Sequence, residues 1–227
     1  PPHHSSAASD VYKRQLVTGE INKKSAYVYS TSLGLVGFLV LYTQTTELAA
    51  FIALSANIFY SFIYTLVLKP RTNQNIVIGG AAGAAPVLIG WSATGTNLDT
   101  GSWLLFLLVF LWTPAHFWAL SIDKLNDYKD ANFPMLPTQE SYKRTSIFIG
   151  IYSCATVLTS LLLAPILQLG MVYLLLSLIF GLYLMYKSYQ LYRKQIKAIS
   201  YFVFSNTYLA VIFLSMVADI FITLSSI

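Results

Sequence analysis

Three groups of side chains in this 227-residue chain have types and spacings that could do chemistry. The first is acidic. Residues 121–137 read SIDKLNDYKDANFPMLP, with Asp123, Asp127 and Asp130 at intervals of four and three. On a continuous helix such positions share a face. Like charges at that spacing repel, and a divalent cation would relieve the repulsion. Mg²⁺ usually binds through one or two carboxylates plus substrate phosphates. Asp123 and Asp127 therefore fit a Mg²⁺–diphosphate site. A hydrated loop whose acids are neutralised by Lys124 and Lys129 fits the same residues. The second group is basic: Lys69-Pro-Arg71-Thr-Asn73-Gln-Asn75. Lys69 and Arg71 suit phosphate oxygens, Arg71 through its bidentate fork. Asn73 or Asn75 could cap a following helix. Ordinary basic flanking of a membrane span explains the cations equally well. The third is His116, in Trp112-Thr-Pro-Ala-His-Phe-Trp118. A neutral imidazole can ligate iron, accept a proton or bond a carboxylate. A packed, hydrogen-bonded core histidine is the alternative. His3 and His4 lie in a polar terminal stretch.

The elements that must position these groups are membrane helices. Hydrophobic residues make up 56% of the chain and charged residues only 10%, against about 25% charged in soluble domains. That composition excludes a water-soluble globule and a disordered chain. The single cysteine, Cys154, excludes an internal disulfide framework and a cysteine-cluster metal site. A span needs about 20 apolar residues. Stretches 25–46, 48–68, 72–98, 100–122, 145–186 and 198–218 contain no Asp, Glu, Lys or Arg. Pro165 and Gln168-Leu-Gly170 predict a break within the long one. Seven spans follow, at about 25–43, 47–68, 75–94, 102–121, 145–164, 169–187 and 199–222, in an all-α polytopic fold.

Charge placement supports this count. If the spans alternate, all 14 Lys and Arg residues fall on one side. Glu47, Asp99 and, near the end of the last span, Asp219 fall on the other. The net charge of +5 thus argues for a membrane rather than nucleic acid. The positive-inside rule makes the basic side cytoplasmic, or the matrix side in a mitochondrion. The compact loops favour a bacterial inner membrane. Span three carries Gly79-Gly-Ala-Ala-Gly83-Ala-Ala-Pro86. Small residues permit close helix approach, and Pro86 predicts a kink. Residues 1–15 are polar, lack an apolar run and read as a non-native tail, leaving 16–227 as one transmembrane domain.

Several segments resemble the heme-farnesylating enzymes of the UbiA superfamily of intramembrane prenyltransferases. They are Asn75–Pro86, Ile89-Gly-Trp91, Trp112-Thr-Pro-Ala-His-Phe-Trp-Ala-Leu120, Asp127-Tyr-Lys-Asp-Ala and Pro134-Met-Leu-Pro137. Leu68–Thr72 and Phe204-Ser-Asn-Thr-Tyr-Leu209 fit as well. The resemblance implies a UbiA-type helical bundle and transfer of farnesyl from farnesyl diphosphate to a vinyl group of heme B. The products are heme O and diphosphate, and the heme serves respiratory oxidases. It implies Mg²⁺ at Asp123 and Asp127, diphosphate at Lys69, Arg71, Asn75 and Lys129, and heme near His116. Catalysis would rest on Asp127, Asp123 and His116. Partners would be the lipid bilayer and a heme A synthase or terminal oxidase pathway.

Members of this group have nine spans and a first Asp-rich motif after the second. The seven spans here match a chain lacking the first two. Arg14–Gly19 stands where the segment after that motif would lie, so the diphosphate site is expected to be incomplete. Ala115 replaces a family proline beside His116. Prenylation of a quinone precursor, a non-catalytic heme-binding remnant and a secondary transporter are the competing readings. Polar chemistry gathered at one membrane face suits an anchored diphosphate better than the midplane site of a transporter.

Overall fold

A computed structural model describes Gly19, residues 21–130 and residues 132–225, excluding the side chains of 223–225. The expected tail at 1–15 and most of Arg14–Gly19 lie outside those residues. The described chain is all-helical. Helix α1 spans Lys23–Gln44 and α2 Glu47–Ile58, which runs on as a π-helical segment, Phe59–Leu68. Then come α3 (Asn75–Ala93), α4 (Thr100–Asp123), α5 (Leu125–Asp130) and α6 (Leu136–Gln139). The last three are α7 (Tyr142–Ile166), α8 (Met171–Tyr192) and α9 (Ala198–Ser225). Seven of these helical runs are long and apolar enough to cross a membrane. Their limits fall within a few residues of the sequence reading.

Local chemistry sets the boundaries. Exposed backbone donors at a helix start need acceptors, and short polar side chains supply them. Asn22 Oδ1 accepts from Ser25 N, and Ser141 Oγ accepts from Arg144 N. Asp99 and Ser102 form a reciprocal capping box at the start of α4. The predicted break before α8 falls where Gln168 turns to φ 53°. Pro165 is accommodated in the last turn of α7. Asp219 of α9 accepts from the Gly170 amide that opens α8. This acid therefore completes a neighbouring helix terminus. Asn73 and Asn75 do not cap α3: Gln74 holds the cap position without a side-chain bond.

Helix α4 is the hub, packing against α3, α7 and α9, while α8 fills the space between α7 and α9. Leu105, Leu108, Trp118, Ile149, Leu163, Leu184, Tyr201 and Tyr208 make up much of the buried core. Gly181 lets α8 approach α7: a Cβ there would lie 2.7 Å from Val157 Cγ1. Helices without a hydrophobic drive between them gain from such close contact and from hydrogen bonds. Helix hydroxyls mostly bond the preceding turn, as Ser153 does to Ile149 O at 2.6 Å.

Two sets of contacts fix the ends of the bundle. At the basic end, the Asn75 amide reaches Pro134 O at 3.2 Å and Tyr142 Oη reaches Leu191 O at 2.7 Å. At the other end, Thr46 Oγ1 donates to Ser92 O at 2.9 Å and Asp219 meets Gly170. These contacts require the alternating path on which the charge partition depends.

Candidate functional site

The acidic and basic segments meet at the basic end. The π-helical close of span two delivers Lys69 and Arg71; Lys69 N bonds Tyr64 O, five residues back, at 2.8 Å. Such a widened turn often marks a functional region. The wide turn is fitted against α3 at Gly79, where any Cβ would collide with the Tyr64 ring. Asn75, 1% exposed, opens α3 and reaches across two loops. Its Nδ2 donates to Lys69 O at 3.4 Å and Pro134 O at 3.2 Å. The Lys69 ammonium lies 5.2 Å from the Phe133 ring centre. Asn75 thus staples the Lys69–Arg71 loop to the loop that follows Asp123 and Asp127. Both amide hydrogens are engaged, and buried Oδ1 has no partner among the described residues. What Asn75 has left is an acceptor, suited to a cation or a donor group rather than a phosphate oxygen.

The two aspartates do not lie on one unbroken helix. Helix α4 ends at Asp123, Lys124 leaves helical backbone at ψ 30°, and α5 begins at Leu125. The expectation of a shared face on a continuing helix is corrected by that break. Asp123 pairs with its neighbour Lys124 at 3.5 Å. Asp127 has no ion pair among the described residues and sits in the first turn of α5, where helix amides favour an anion. Lys129 lies on the last turn of the same short helix. Burial pushes the Tyr128 phenol upward, so it stays a neutral hydrogen-bonding group beside Asp127. No cluster of three or more His, Cys, Asp or Glu occurs among the described residues. An all-protein metal cage is therefore not what these groups form. One or two carboxylates on α4 and α5, with Lys69 and Arg71 on a loop tied to the segment that follows them, are a donor set of the kind that takes a cation carried on a diphosphate.

His116 lies two turns back along α4, about 10 Å from Asp123 along the axis at 1.5 Å per residue. It is 5% exposed. Its ring stacks between Trp112 at 4.2 Å and Phe202 at 4.1 Å, with Phe117 edge-on at 5.2 Å. His116 Nδ1 lies 2.7 Å from Ser205 Oγ, and Trp112 Nε1 donates to Ser205 O at 2.9 Å. Ser205 was visible in the sequence only as part of Phe204–Leu209. Nothing in its spacing linked it to a histidine 89 residues away. The arrangement holds one imidazole in a fixed orientation between aromatic rings, two turns from the end of α4 that carries Asp123.

A model of the UbiA prenyltransferase family matches residues 10–217. A protoheme IX farnesyltransferase of Thermus thermophilus is 42% identical over 209 residues, covering 91% of this chain and 34% of that protein. The protein of that name from Clavibacter sepedonicus is 41% identical over 212 residues, covering 91% and 69%. Protoheme IX farnesyltransferase 2 of Vibrio campbellii is 37% identical over 210 residues, covering 92% and 69%. The chain thus spans about a third of the Thermus protein and about two thirds of the other two. No solved structure matches the chain. Seven membrane-length helices, two chemically distinct loops stapled at one end and a family match over most of the length agree, and the chain belongs to the UbiA prenyltransferase family.

Proposed function

We propose that this chain serves as a protoheme IX farnesyltransferase, working at the cytoplasmic face of a bacterial inner membrane. The carrying observation is the Asn75 staple, which joins the Lys–Arg loop to the loop that follows Asp123 and Asp127, at the membrane end nearest His116. The names of relatives near 40% identity support the heme acceptor over a quinone precursor. An apolar cleft of about 410 Å³, lined by Phe51, Ile52, Phe59, Ala81, Ala85 and Trp103 among others, offers isoprenoid-sized room between α2 and α3.

Lys69, Arg71 and Lys129 would hold the diphosphate, and Asp127 with Asp123 would hold Mg²⁺ against it. Bound there, the metal would neutralise charge on the leaving group. The C1–O bond of farnesyl diphosphate breaks with its electron pair leaving on diphosphate. The heme vinyl π electrons form the new bond to farnesyl C1. Water then closes the resulting cation as an alcohol, and its proton passes to a base, a role this reading gives to His116. The stacked rings of Trp112 and Phe202 hold that base and limit premature attack by water.

The test supplies membranes containing the chain with farnesyl diphosphate, Mg²⁺ and either heme B or 4-hydroxybenzoate. Appearance of a hydroxyethylfarnesyl heme by mass spectrometry supports the reading. Prenylated 4-hydroxybenzoate alone would replace it with the quinone-precursor assignment. If neither product forms, the assay is repeated with the full-length gene product, and failure there too sinks the proposal.

A further inference from the structure

We infer that Ser205 is a positioning residue that fixes the tautomer of His116, putting the proton on Nδ1 and the free lone pair on Nε2. The hydrogen bonds around one hydroxyl set this tautomer. Ser205 Oγ lies 2.7 Å from His116 Nδ1 and 2.7 Å from Phe202 O. A serine hydroxyl has one proton to give and two lone pairs to receive with. A carbonyl can only accept. The Ser205 proton therefore satisfies Phe202 O, and Ser205 Oγ accepts from His116 Nδ1–H. Both short contacts are then hydrogen bonds.

The opposite tautomer makes one bond fewer. With the lone pair on Nδ1, the Ser205 proton must turn to it and abandon Phe202 O. The proton on Nε2 then meets no acceptor, because Nε2 has no partner among the described residues. Unlike Trp118 Nε1, Nε2 is not among the sealed, unpartnered atoms of the interior. The small accessible part of the side chain thus includes the nitrogen that carries the lone pair. Ring orientation is fixed as well as protonation. Trp112 and Phe202 cover the two faces at 4.2 and 4.1 Å, which blocks a ring flip. Trp112 is itself anchored to the Ser205 carbonyl at 2.9 Å. One residue of α9 therefore sets both the imidazole and the wall beside it. A neutral imidazole presenting Nε2 to a ligand, with Nδ1–H bonded behind it, is the arrangement in which outer partners orient metal-binding histidines.

On the farnesyltransferase reading, the group that Nε2 would meet is heme iron or the proton released when water adds. The tautomer itself does not depend on that reading, and the test separates the two. The purified chain is labelled with ¹⁵N-histidine, and long-range ¹H–¹⁵N spectra are recorded. Its three histidines are His3, His4 and His116, and a His116→Gln sample assigns the signal. Wild type is expected to show protonated Nδ1 and unprotonated Nε2. Ser205→Ala should lose that pattern, and Ser205→Thr, which keeps the hydroxyl, should restore it. A wild-type spectrum with the proton on Nε2, or a Ser205→Ala spectrum unchanged from wild type, overturns the inference. If Ser205→Ala does not fold, the wild-type spectrum decides alone. Heme B titration followed by Soret absorbance is the second readout. Ser205→Ala is expected to weaken binding about tenfold to a hundredfold, with recovery in Ser205→Thr. Heme binding that ignores both His116→Gln and Ser205→Ala would remove His116 from the proposed heme site, while the spectra still judge the tautomer.

Discussion

At the residue scale, Asp123 and Asp127 are not equivalent. Spacing alone made them a pair, but the break at Lys124 puts them on different helices. Asp123 already has a cation at 3.5 Å, and Asp127 has no ion pair among the described residues. A carboxylate that is already paired has less to give to an incoming metal–diphosphate. Asp127→Asn is therefore expected to lower kcat in the full-length protein about a hundredfold to a thousandfold, the usual cost of removing one group that stabilises developing charge. Asp123→Asn should cost clearly less. Steady-state heme O formation with saturating Mg²⁺ measures both, and equal losses would refute the ranking. Asn75 gives a different expectation. Its side chain ties loops together instead of donating to the substrate. Asn75→Ala should raise KM for farnesyl diphosphate more than it lowers kcat, because it loosens both loops of the proposed diphosphate site. A fall in kcat with unchanged KM would assign Asn75 to the chemical step.

At the element scale, the bundle is held by hydrogen bonds at helical spacing. Tyr201 Oη meets Ser153 Oγ at 2.6 Å, and Tyr208 Oη meets Ser160 Oγ at 2.8 Å. Both partners advance by seven residues, two turns, along α7 and α9. These helices run in parallel, so the rungs repeat in register. Each rung crosses a gap too wide for backbone contact, which is why tyrosine is needed there. Interhelical bonds of this kind are worth about 0.6 kcal/mol on average and up to about 1.7. Tyr208→Phe should lose a stability in that range, and a double-mutant cycle with Ser160→Ala, read by unfolding in mixed micelles, isolates it. A coupling of zero would show that the pair is incidental. The spans were legible in the sequence because charge-free runs and end caps are local signals. Asn22, Asp99 with Ser102, and Ser141 mark their own helix starts. The rungs were not legible, because Ser153 and Tyr201 lie 48 residues apart and each alone resembles an ordinary span residue. Ser205 stayed hidden for the same reason. Asn75 stood out in the sequence as a polar residue at a helix start, but the direction of its side chain depends on where Pro134 arrives in space.

At the scale of the whole molecule, polarity is divided between the two ends. The Lys69–Arg71 loop, the Lys124–Arg144 segment and the Lys187–Lys197 segment all lie at the end where Asn75 meets Pro134 and Tyr142 meets Leu191. The opposite end holds Asp99, capping α4, and the Asp219–Gly170 contact. Translocating a basic loop is disfavoured, so the positive-inside rule puts the expected position of the basic end on the cytoplasmic side. That orientation also fits the chemistry, since the cations that retain the chain in one topology stand where a diphosphate substrate would dock. The proposed site and the expected topology therefore draw on the same charges, and orientation can be tested without activity. In a Cys154→Ser background, single cysteines placed at exposed Gln74 and at exposed Thr96 report opposite ends. In intact cells, a membrane-impermeant maleimide should label Thr96→Cys and spare Gln74→Cys, and lysis should expose both. The reverse labelling would invert the protein and put the proposed diphosphate site on the wrong side for a cytoplasmic substrate. Labelling of both positions in intact cells would break the odd-numbered separation of the two loops and, with it, the seven-helix path.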